Sequence, residues 1–175
     1  TIEDITGSKI SKTVRVTTEA AYKKPAENIL ELRNFNAEGL IYDINLTVGK
    51  GEIVGIAGLI GAGKTELAKA ICGALPKANR VTGTYIFDGK EVKIKSLNPN
   101  STKRMGIGFV TENRLAEGMI PEQSMLFNVT LPSLDKVSRA SVINPRLSMG
   151  MATNVIKTVA LRPPDPRKLM RFFSG

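Results

Sequence analysis

The stretch GLIGAGKT, Gly58 to Thr65, constrains what this chain can fold into more than any other part of it. It fits the pattern G-x-x-x-x-G-K-[ST], with an additional glycine at Gly61. Glycines let the backbone turn tightly, so that successive N–H groups converge on phosphate oxygens. An apolar run leads in and a helical pattern leads out, which brings the positive end of a new helix to the same place. In such a loop Lys64 reaches the β- and γ-phosphates as a point charge, and the Thr65 hydroxyl is a ligand for Mg²⁺. The competing reading, a glycine-rich β–α turn with an incidental lysine, accounts for less of this context. Nucleotide binding is therefore the expectation.

The patterning around the loop is mixed. "ILELRNF" and "INLTV" alternate as strands do, and "EIVGIAG" is a continuous apolar run expected to be a core strand. After Gly63 the period becomes helical, with Leu67, Ala70, Ile71 and Ala74 on one face. "GTYIFDGKEVKI" predicts a hairpin turning at Asp88-Gly89. "STKRMG" suggests a short helix, "IGFVT" another buried strand, and "SMGMATNVIKTVAL" an amphipathic helix before the prolines at 163, 164 and 166. Interleaved strands and helices predict the α/β class. The expected organisation is a polar linker or lead-in over 1–28, a core with a β subdomain over 29–120, and a helical subdomain over 121–175.

A formal charge of +9 raises the question of nucleic acid. From Lys136 onward there are eight basic residues and one acid, Asp165, so +7 of that charge lies in the last stretch. No aromatic alternation accompanies it, as a single-strand platform requires, so no nucleic-acid partner is expected. The single cysteine, Cys72, excludes an internal disulfide and is expected to pack as a small hydrophobe. The run from Ile53 to Gly63 is too short to cross a bilayer.

Hydrolysis normally needs a second strand ending in an aspartate for Mg²⁺ and a group that positions water. Asp88 closes "TYIFD", but Gly89-Lys90 and a further β run follow at once, as in a hairpin turn. Asp43 closes "LIYD" and leads into another strand. Neither fits the role.

Gly51 to Gly73, "GEIVGIAGLIGAGKTELAKAICG", closely resembles the phosphate-loop region of ABC-transporter ATPases, and within them the sugar-importer class with two fused nucleotide-binding domains. The mark is Thr65-Glu66 after the lysine, as in the second halves of those tandems. A second stretch, "GIGFVTENRLAEGMIPEQSMLFNVTL" from Gly106 to Leu131, is similar to the family's Gly-Ile-x-x-Val-Pro-Glu-Asp-Arg…Glu-Gly-Leu region. The resemblance runs from about Ile29 to Gly175.

The resemblance implies a P-loop NTPase core of the ABC type, with an antiparallel β subdomain and a partial helical subdomain. It implies ATP and Mg²⁺ as cofactors, with Gly58, Gly61, Ala62, Gly63, Lys64, Thr65 and Glu66 around the nucleotide. Glu112 stands where the family's Q-loop glutamine binds metal and water, so Thr65 and Glu112 form the expected metal pair and Lys64 and Glu112 the catalytic one. A surface pairing of Glu112 with Arg114 is the alternative. Tyr42 is the aromatic available to stack on adenine, although core packing has the stronger claim on its ring. "FFSG" matches the first part of the Leu-Ser-Gly-Gly-Gln signature, in which Ser174 and Gly175 would contact nucleotide held by an opposite domain. On that basis the chain is expected to be truncated at the signature.

The expected function is ATP-driven import of a sugar or related solute. The partners would be a second nucleotide-binding domain and transmembrane permease subunits, and the location the cytoplasmic face of the cell membrane. The stretch itself is expected to bind nucleotide without efficient hydrolysis. Two alternatives stay open: a non-transport regulatory nucleotide module, and another P-loop enzyme such as a GTPase or small kinase, although no Asn-Lys-x-Asp motif occurs.

Overall fold

Alternating apolar residues separated by tight turns produce antiparallel strands, and these dominate the first half of the molecule. The computed structural model describes residues 27–173. Most of the polar lead-in, and Ser174 and Gly175, lie outside the described residues. Backbone contacts divide the chain into two compact units, Thr1–Ser101 and Thr102–Gly175, each described by itself below.

In the first unit, β1 (Asn28–Ala37), β2 (Ile41–Gly49), β3 (Val81–Phe87) and β4 (Lys90–Glu91) form one antiparallel sheet in the order β2-β1-β3-β4. Strict alternation would put Leu32 and Phe35 on opposite faces, yet both are buried. A register shift between them absorbs the odd residue, with Asn34 at φ 46°. The irregularity is held from both neighbours. Asn34 Nδ2 donates to Asp43 Oδ1 at 2.9 Å, and the Asn34 amide donates to Asn45 Oδ1 at 2.9 Å. On the other side, a Cβ on Gly83 would run into the Asn34 carbonyl, so only glycine fits there. Asp43 is thus spent on the strand irregularity, and Asp88, at φ 49°, is the hairpin turn.

Over this sheet lies α1 (Lys64–Ile71), which buries Leu67 and Ala70. Phe35 and Tyr85 meet edge to face at 6.1 Å, and the Tyr85 hydroxyl donates to the Ile71 carbonyl at 3.2 Å, tying sheet to helix. Burial, and to a smaller degree the Cys72 charge, push the Tyr85 hydroxyl up to about 12. Cys72 is buried as expected, and burial raises its thiol too.

Helix α2 (Pro99–Arg104) crosses the division at residue 101. The second unit contains α3 (Met125–Thr130), α4 (Leu134–Val137), the two-residue strands β5 (Ser138–Arg139) and β6 (Val142–Ile143), and α5 (Pro145–Thr158). Asn144 caps α5 by accepting from the Arg146 and Leu147 amides, with Pro145 at the first helical position. Ser148, Ala152 and Ile156, spaced by four, form its buried face. Met125, Ala152 and Ile156 centre the core, with Leu126, Val155, Met170 and Phe173 packed around them. The segment after the prolines returns along the start of α3: the Met125 amide donates to the Lys168 carbonyl and the Met170 amide to the Gln123 carbonyl, each at 2.9 Å.

Two expected core strands are absent. Residues 53–58 and 107–111 form no ladder, and Ile53 and Val110 are almost fully exposed (98% and 94%). The reason is geometric. An apolar run becomes a buried strand only when neighbours cover both its faces and its backbone edges. Among the described residues no strand lies alongside either run. No helix among the described residues is long and apolar enough to cross a membrane.

Candidate nucleotide-binding site

The loop is shaped by its backbone before any side chain acts. After β2 the chain runs without regular secondary structure to Gly58 and then turns, with the Ala62 amide donating to the Leu59 carbonyl at 3.1 Å. Gly61 and Gly63 both take the left-handed conformation, at φ 81° and 80°. They differ in surroundings. A Cβ on Gly61 would meet nothing within 4 Å, whereas one on Gly63 would lie 2.6 Å from Ile41 Cγ2 and 3.2 Å from the Leu40 carbonyl oxygen. Leu40 and Ile41, at the start of β2, are therefore the wall behind the loop. Nothing in the phosphate-loop pattern points to them, because the contact joins segments more than twenty residues apart.

Gly63 is also the N-cap of α1, and the first intrahelical bond runs from the Leu67 amide to the Gly63 carbonyl at 2.8 Å. The first-turn amides before Leu67 therefore have no intrahelical acceptor and form the positive end of the helix. Lys64 folds back over the loop, its Nζ donating to the Gly58 and Leu59 carbonyls at 2.9 and 2.7 Å. These bonds hold the ammonium against the first residues of the loop. Thr65 is half-buried beside it, and Glu66 places a carboxylate in the first turn, where the helix dipole favours it. The start of α1 thus carries helix-end amides, the Lys64 cation and the Thr65 hydroxyl, the donor types that a polyphosphate and its metal require. This donor set fits ATP with Mg²⁺, a metal that is usually held by few protein groups. No cluster of three or more His, Cys, Asp or Glu side chains suited to a metal occurs among the described residues.

Gly58, Gly61, Ala62, Gly63, Lys64, Thr65 and Glu66 are together in this loop and helix start. Tyr42 follows Ile41 directly, but it is 67% exposed and its hydroxyl accepts from the Gly39 amide at 3.0 Å. Core packing is therefore not what Tyr42 does. Glu112 lies in the second unit, exposed, just before a π-helical turn over Arg114–Gly118 in which the Asn113 side chain accepts from the Ala116 amide. Ser174 and Gly175 lie outside the described residues.

Residues 41–170 match the ABC transporter family. The chain belongs to that family. Its α/β P-loop fold is that of an ABC ATPase domain. Among curated relatives, this ABC-transporter chain is 36% identical over 153 residues to the ribose import ATP-binding protein RbsA 1 of Rubrobacter xylanophilus, covering 87% of this chain and 30% of that protein. It is 37% identical over 134 residues to a putative ribose/galactose/methyl galactoside import ATP-binding protein of Agrobacterium fabrum, covering 77% of this chain and 26% of that protein. With RbsA of Bacillus subtilis it shares 33% over 150 residues, covering 85% of this chain and 29% of that protein. The ABC-transporter chain thus spans about three-tenths of the length of the relatives it matches. The match beyond the phosphate loop sets aside a GTPase or small kinase, for which residues after Gly106 would resemble this family only by accident.

Proposed function

We propose that this chain binds ATP–Mg²⁺ at residues 58–66 and serves as an ATP-binding domain in an importer of a sugar or related solute. The observation that carries this reading is the loop itself: Gly61 and Gly63 are left-handed, Lys64 is anchored to the Gly58 and Leu59 carbonyls, and Gly63 caps the start of α1. The backbone amides would hold phosphate oxygens, and Lys64 would share its ammonium between the loop carbonyls and the β- and γ-phosphates. The Thr65 hydroxyl would hold Mg²⁺, which when bound neutralises charge between phosphate oxygens. Glu112, by its place in the sequence, would add a hard anionic metal ligand. Tyr42, which is exposed, is the candidate adenine platform.

The names of the relatives support a solute of the ribose or galactose kind. The partners in this reading are a second nucleotide-binding domain and membrane permease subunits. The site of action is the cytoplasmic face of the membrane. Turnover by this stretch alone is expected to be poor, because Asp43 is engaged with Asn34 and Asp88 forms a turn.

Titration with a fluorescent ATP analogue in the presence of Mg²⁺ tests the reading. Wild-type chain should bind, ATP should displace the analogue better than GTP, and Lys64→Ala should weaken binding by about tenfold or more, as expected for a lost charged phosphate contact. Unchanged affinity in Lys64→Ala would overturn the site. Phosphate release at a rate ordinary for an ATPase, abolished by Lys64→Ala, would overturn the claim of poor turnover.

A further inference from the structure

The open edge of the sheet has a use that nucleotide binding does not explain. β3 pairs with β1 from Val81 to Phe87, with a register shift at Gly83, but on its other side β4 pairs only with Ile86 and Phe87, followed by a bond from the Val92 amide to the Tyr85 carbonyl at 2.8 Å. The chain then bends into a 3-10 turn at Ile94–Ser96 instead of continuing along β3. Val81 to Thr84 consequently have no strand on that side among the described residues. Between this edge and the departing chain lies a groove of about 800 Å³. Its apolar lining comes from Ala70, Leu75, Val81, Val92, Ile94 and Leu97, and its cations are Lys77, Arg80, Lys93 and Lys95, against a single acid, Glu91. None of these four cations is in an ion pair with another described residue.

An unpaired strand edge is a template for another strand, and lysines beside it repel chains of the same charge. A second copy of this protein would bring its own lysines to the same place. An extended segment carrying carboxylates meets no such repulsion. Four residues of edge span about 13 Å, which a short extended peptide covers, with its backbone on β3 and alternate side chains directed to the apolar lining and to the cations. No aromatic lines the groove, which removes the stacking platform that a single-stranded nucleic acid would use.

We propose that the open edge of β3 docks an extended acidic segment of a partner protein, which adds as a strand beside Val81–Thr84 and sets its carboxylates among Lys77, Arg80, Lys93 and Lys95. The site is separate from the nucleotide loop and needs no bound nucleotide.

The test uses the full chain and a fluorescent peptide of about seven residues alternating valine with aspartate or glutamate, long enough to cover the edge with an overhang. Its anisotropy should report saturable binding, and hydrogen exchange should slow at residues 81–84. The exposed pair Lys93→Glu/Lys95→Glu should weaken binding by about tenfold, since several surface charge pairs turn from attraction to repulsion. The same peptide with N-methylated backbone amides should not bind. Binding of the ATP analogue should be unchanged in the double variant, which shows that the variant is folded and keeps the two sites distinguishable. No peptide binding, equal binding by the charge-reversed double variant, or equal binding of the N-methylated peptide would overturn the proposal. So would full displacement of the peptide by inorganic phosphate or an oligonucleotide at matched charge, because the surface would then be a general anion patch.

Discussion

Ile41 stands against Gly63: a Cβ on that glycine would come within 2.6 Å of Ile41 Cγ2 at the place where the phosphate loop becomes α1. The start of one strand thereby sets the position of the helix end that would hold phosphate. Gly63→Ala must give up both the left-handed conformation and this close approach, whereas Gly61→Ala gives up only the first. The left-handed backbone alone costs roughly 1–2 kcal/mol without a glycine. Gly63→Ala is therefore expected to lower thermal stability more than Gly61→Ala and to weaken the ATP analogue by more than about tenfold. Equal effects in melting and titration would show that the Ile41 wall does not matter.

The Tyr85 hydroxyl gives a pH-dependent prediction. Its folded pKa, about 12, lies above the ordinary 10.0, so its stabilising effect is fully present below pH 10 and is lost as pH rises through 12. At pH 8, Tyr85→Phe should cost about 1 kcal/mol through the lost bond to the Ile71 carbonyl. Above pH 11 that difference should shrink or reverse, because phenylalanine cannot ionise. Buried Cys72 adds an alkaline loss of the same sign, so the comparison belongs in a Cys72→Ala background. Urea midpoints at the two pH values read the effect, and a constant gap would refute it.

Asn128 pins the turn that leads into α3. Its Oδ1 accepts from the Ile120 amide at 2.7 Å, and its Nδ2 donates to the Ile120 and Ser124 carbonyls, each at 3.0 Å. Asn128→Ala should destabilise the second unit by about 1–3 kcal/mol, the cost of leaving such groups unmatched. Faster hydrogen exchange at Ile120 is the local sign to look for, and Asn128→Asp should recover only the acceptor half.

Thr111 presents the opposite case. Its hydroxyl is buried and has no hydrogen-bond partner among the described residues. Thr111→Val removes the stranded polar group at nearly constant volume, so it should be neutral or stabilising by up to about 1 kcal/mol. A clear loss of stability on thermal unfolding would mean that the hydroxyl has a partner in solution.

Much of this arrangement was legible from local pattern. The hairpin at Asp88-Gly89, the helix carrying Ser148, Ala152 and Ile156, and the buried Cys72 all follow from period and turn chemistry. The apolar runs at 53–58 and 107–111 misled, because apolarity indicates a wish for cover and does not say what provides it. Tyr42 misled for a related reason: its ring was expected inside, yet it lies on the surface with its hydroxyl on the Gly39 amide.

The sequence by itself determined that a lysine and a threonine would follow a glycine turn at a helix start, and that the chain carries the ABC-transporter pattern. Those are short-range facts, written in spacing. Only the tertiary structure decided that Ile41 would back the loop, that Asn34, Asp43 and Gly83 would share one strand irregularity, and that β3 would keep an open basic edge. Each of these joins segments remote along the chain, and residue periodicity encodes which face is apolar without encoding which distant backbone will meet it.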